Sequence, residues 1–65
     1  MAEQLLLFAN ELRTRAEEIL LQALSTKDPE VRDTRRVIAA GYQKLARQIE
    51  QRARETREFR EIVEA

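Results

Sequence analysis

Alanine returns at every seventh residue twice along this chain, first as Ala2, Ala9, Ala16 and Ala23 and then as Ala39, Ala46 and Ala53. A seven-residue repeat keeps side chains on one face of an α-helix. Each series therefore predicts a helix with a column of the smallest side chains running down it. Apolar residues flank both columns: Leu5, Leu12 and Ile19 in the first stretch; in the second, Tyr42, Ile49 and Val63 to one side and Ile38, Leu45 and Phe59 to the other. Two such stripes suit one another, with helix axes at the short end of the usual 8 to 10 Å or so.

Between the ladders, Ser25, Thr26, Lys27, Asp28 and Pro29 crowd together, the only strong break in a chain of helix formers. Asp28 can accept a hydrogen bond from the free amides of a following turn. Pro29 suits the first helical position, where its missing N–H has no intrahelical partner, and Glu30 complements the positive end of the helix dipole. The sequence thus predicts an all-α fold, a single antiparallel two-helix hairpin over residues 1–65, with helix 1 at about 2–25, a turn at 26–28 and helix 2 at about 29–64. The isolated Gly41 costs about 1 kcal/mol relative to alanine and is expected to help the helices approach. In a chain that folds back on itself, facing positions have a constant sum of residue numbers. Pairing Ala9 with Ala46, Ala16 with Ala39 and Ala2 with Ala53 gives 55 and bends the chain between Lys27 and Asp28. A sum of 62 is the alternative, but it centres the bend on Val31 and leaves the cap unused.

A chain of 65 residues buries a thin core, and without Cys or His it has neither disulfides nor the usual metal ligands to reinforce it. Association remains. Helix 2 outlasts helix 1, so Phe59, Ile62 and Val63 overhang, while Leu7 and Leu21 point away from the seam and Leu24 widens the stripe. Leu7, Leu21, Leu24, Phe59, Ile62 and Val63 are the expected interface, and a homodimer forming a four-helix bundle is the simplest closed arrangement. A monomeric hairpin with scattered surface leucines is the alternative.

Catalysis is not expected, because the chain has one Ser, one Tyr, and no glycine-rich loop for phosphate. Asp28, Glu30 and Asp33 faintly resemble a calcium loop but lack its glycine and distal glutamate, so no metal or cofactor is expected. The longest apolar run, Leu5 to Ala9, falls far short of the roughly 20 residues of a membrane span, and no basic stretch precedes it in the manner of a signal peptide. A soluble, cytoplasmic protein is expected.

The formal net charge is zero, yet from Arg32 to Arg57 eight basic residues stand against three acidic ones. Arg32, Arg36, Arg47, Arg54 and Arg57 fall within an arc of about 80° on an ideal helix. Guanidinium forks bind phosphates, so this stripe is a candidate nucleic-acid contact. Against it, Glu50 with Arg54 and Arg57 with Glu61 have the spacing of a salt-bridged solvent face, and no aromatic residue lies in the stripe to stack on bases. Tyr42 reads as a core or rim aromatic, and Asn10 and Gln43 as surface residues. The expected function is that of a small regulatory protein, a non-enzymatic interaction module that self-associates and binds a helical protein partner. Nucleic-acid binding through the arginines is the alternative.

Overall fold

The computed structural model describes residues 2–64, which form two helices packed along one another. α1 spans Ala2–Ser25 and α2 spans Pro29–Glu64. At the start of α2 the Glu30 amide donates to Asp28 Oδ1 at 2.9 Å, and the Arg32 amide donates to the Asp28 carbonyl at 3.0 Å. Asp28 is thus the N-cap and Pro29 the first helical residue. The end of α1 is closed by hydroxyls. Ser25 Oγ and Thr26 Oγ1 both donate to the Gln22 carbonyl, at 3.1 and 2.7 Å, and the Thr26 amide reaches the Ala23 carbonyl at 3.2 Å. Carbonyls that lack a helical partner are thereby satisfied. The bend needs no glycine, and no described residue has a positive φ.

The core is a seam of methyl groups. Ala9, Ala16, Ala23, Ala39, Ala46 and Ala53 are buried, and Leu12 is the one larger apolar side chain among the described residues that joins them. Ala9, Leu12 and Ala46 form one buried cluster, against which Tyr42 and Ile49 pack. Ala9 and Ala46 belong to the register summing to 55. Other contacts across the seam extend that range: Gln22 with Arg35 sums to 57 and Arg13 with Glu50 to 63. The facing positions therefore centre on about 58, where an alanine column meets the positions three and four residues along the opposite helix. Alanines interleave with Leu12, Tyr42 and Ile49 rather than standing only against each other, and this lets large side chains fill the hollows that small ones leave.

Two expectations are corrected. Gly41 has no part in bringing the helices together: it is exposed, and a Cβ built on it meets nothing within 4 Å. Its place on α2 is turned away from α1. Gln43 is half-buried beside the seam rather than on the surface, whereas Asn10 is exposed. The Cα trace measures 56 × 14 × 11 Å, a slab one helix thick.

Replacing Ala16 or Ala39 by leucine is expected to cost about 1–3 kcal/mol each, because added methylenes in a closed seam force the helices apart. Chemical denaturation of each variant checks this, and unchanged midpoints would rule out a close seam.

Candidate interaction surfaces

The seam has two unlike edges. Along one, Arg13 Nε donates to Glu50 Oε2 at 2.9 Å while Arg13 Nη2 donates to Glu50 Oε1, a two-pronged guanidinium–carboxylate pair joining α1 to α2. The side chains keep 39% and 28% of their surface, so water screens the pair. The Arg13 hydrogen bonds hold the Glu50 carboxyl below its ordinary value of 4.5. Desolvation opposes this in part, and the charges of Arg13, Arg54 and Arg47 add to it. The same bonding raises the Arg13 guanidinium.

This pair breaks the arginine stripe. Glu50 turns to Arg13 on the other helix and not to Arg54, whose Nη2 donates instead to Gln51 Oε1 at 2.6 Å. Among the described residues Arg57 and Glu61 form no ion pair; the ion pairs present are Arg13–Glu50 and Arg36–Asp33, the latter at 3.8 Å. Arg32 is half-buried, with its Nε shielded from water and unpartnered. Of the five arginines, then, Arg47, Arg54 and Arg57 are exposed without an ion pair, Arg36 is exposed and engaged with Asp33, and Arg32 lies in the column that continues the Ala39, Ala46 and Ala53 seam.

The other edge is apolar. Val31, Ile38, Leu45 and Phe59 follow one another on α2 at multiples of seven, Ile38 and Leu45 each one residue before a seam alanine, and all are exposed. Arg52 completes the column. From α1, Phe8 borders the same edge in a shallow depression shared with Gln4, Leu5 and Thr56. The six residues expected to form the interface are all exposed, and they fall in three places rather than one: Leu7, Leu21 with Leu24 one turn on, and Phe59 with Ile62 and Val63. Leu7 sits on the outer face of α1 among Asn10, Glu11, Thr14, Arg15 and Glu18. Leu21 lies fourteen residues away, about 21 Å along the helix, and Leu24 lies near the turn. Phe59 lies near the limit of α1, whose Ala2 and Glu3 share a depression with Thr56, Arg57 and Arg60, and Ile62 and Val63 follow beyond it.

Among the described residues no three His, Cys, Asp or Glu side chains are grouped to hold a metal ion, and no helix is long and apolar enough to cross a membrane. Comparison with protein-family models, curated proteins and solved structures finds no match to this chain.

Glu50 gives the fold an acid-sensitive contact. Its folded-state pKa is lowered, so the stability it lends is present above pH 4.5 and is lost as pH falls through the lowered value. Melting temperatures of the parent chain and Glu50→Gln, followed by circular dichroism from neutral pH downward, are expected to differ at neutral pH and converge in acid. A constant gap across that range would remove the Arg13–Glu50 contact as a source of stability.

Proposed function

We propose that this hairpin is a small, non-enzymatic interaction module that self-associates, as a dimer forming a four-helix bundle, and engages a helical protein partner through its exposed apolar faces. The observation that carries this is the mismatch between core and surface. No large side chain is fully buried among the described residues, while eleven large apolar residues are exposed, Leu7, Leu21, Phe59 and Ile62 among them. Burial contributes about 25 cal/mol per Å² of apolar area, and a seam of alanine methyls offers little such area. A chain of this length gains stability chiefly by adding a second layer of helices. Exposed apolar patches of this extent mark interfaces on small proteins.

Nucleic-acid binding has weaker support. The exposed Arg47, Arg54 and Arg57 favour it, but Glu50 is bound to Arg13 within the same stripe and Arg36 is paired with Asp33. A phosphate-tracking surface loses affinity steeply with salt, whereas apolar burial does not.

Self-association makes thermal stability depend on concentration. Light scattering is expected to give twice the 7.6 kDa chain mass, and the melting temperature is expected to climb with protein concentration at both low and high salt. A mass of one chain at every concentration would refute the self-associating module. Retention of nucleic acid that is lost with salt and with Arg47→Glu plus Arg54→Glu would favour the second reading.

A further inference from the structure

We propose that a second copy of this chain docks along one face of α2, made by the column Val31, Ile38, Leu45, Arg52 and Phe59 with a notch at Gly41. The two α2 helices run antiparallel across a two-fold axis near Leu45. This rests on the self-association set out above and adds the face, the occupant and the register.

The face continues the core that already exists. Phe8, Val31, Ile38 and Leu45 keep only 40 to 47% of their surface, against 63% and 66% for Leu7 and Leu21, while Phe59 at the end of the column keeps 67%. They rim the seam on the edge opposite the Arg13–Glu50 pair, so a helix laid over them extends one core instead of founding another. With this column covered, α2 presents the three-position apolar width typical of helices inside bundles. Leu7 and Leu21 offer no such continuity, because polar residues fill the interval between them.

Gly41 points to the same face. It is a helical glycine with ordinary φ and open space at its Cβ, so nothing within the hairpin accounts for it. Its neighbours one turn away are Val37, Ile38, Lys44 and Leu45, all exposed, and three of the four are apolar. The result is a notch bordered by apolar side chains on three of its four sides, and such a notch lets a second helix approach closely.

Surface area and symmetry identify the occupant as another copy. The chain exposes 5371 Å², about 1,100 Å² more than the roughly 4,300 Å² of a compact protein of its mass. A standard interface buries about 800 Å² per partner, so one self-contact removes most of the excess. The column is also its own mirror under reversal: Leu45 meets Leu45, Ile38 meets Arg52, and Val31 meets Phe59. Pairing α2 with α2 in this way overlaps all but the last three of its 36 residues, a longer contact than the 24-residue α1 can offer. Arg52 can lay its aliphatic stem on Ile38 and keep its guanidinium in water. The copies carry no net charge to repel one another.

Light scattering on four proteins tests the assignment, with circular dichroism to confirm helicity. The parent chain and Leu7→Glu plus Leu21→Glu are expected to be dimers, and Ile38→Glu plus Leu45→Glu a monomer. Gly41→Ala, which improves helix propensity, is expected to weaken the dimer at least tenfold by filling the notch. Because the chain has no cysteine, Leu45→Cys supplies a probe that leaves the fold intact, and oxidation is expected to link two copies through it, while Leu7→Cys stays unlinked. A parent chain of single mass would overturn both this assignment and the self-association beneath it. A dimeric parent that survives Ile38→Glu plus Leu45→Glu, or that links through Leu7→Cys and not Leu45→Cys, would overturn the α2 face alone. A Gly41→Ala dimer as tight as the parent would overturn the notch.

Discussion

Close contact between two columns of methyl groups is what the rest of this molecule depends on. Alanine at every seventh position lets the axes come near enough for Leu12, Tyr42 and Ile49 to reach across and close on the opposite column. It also limits what the hairpin can bury, since each alanine removes only a small apolar area from water. The same choice that brings the helices together leaves most of the large apolar residues outside. Tightness of the seam and exposure of the surface are two sides of one sequence decision.

Polar groups then fix what the methyl groups leave loose. Alanine columns repeat every seven residues and can slide by a heptad at modest cost in packing. The Asp28 cap and the Ser25 and Thr26 hydroxyls hold the chain ends of the turn, and the Arg13–Glu50 pair pins the helices at mid-length. A slip of seven residues would separate Arg13 from Glu50 by about 10 Å along the axis. The ion pair earns its place as a register mark more than as a source of stability, in keeping with its exposure to solvent.

The hairpin was legible in the sequence because its determinants are local or periodic. The bend at Asp28 and Pro29 follows from capping chemistry within five residues, and the seam from a repeat that survives any small error in register. What escaped depended on the exact alignment of residues far apart in the chain. Arg13 and Glu50 are 37 residues apart, and seeing them together requires the facing sum on that edge, 63, rather than the 55 of the alanine pair. Helix spacing alone points Glu50 at Arg54 instead. Gln43 was misjudged for the same reason, since it shares that edge. Gly41 was tied to the seam because small residues collected there, although at 100° per residue it turns well away from the column of Ala39, Ala46 and Ala53. Of the expected interface, the exposure of its six residues and their division between the outer face of α1 and the end of α2 were legible, because helix periodicity and helix length fix both.

α1 begins at Ala2, which shares a depression with α2 residues only as far as Arg60, and the short end of α2 beyond it has a thermodynamic corollary. A helix without a packed face persists only by propagation from the turns behind it, each added residue bringing one backbone hydrogen bond against its own loss of freedom. The terminal turns after Arg60 can unwind while the alanine columns stay closed, so amide exchange near Ile62 and Val63 reports an opening separate from that of the body. Whatever settles on those turns must also bear the cost of keeping them wound. Attachment there is weaker than the contact area suggests, and correspondingly easier to reverse.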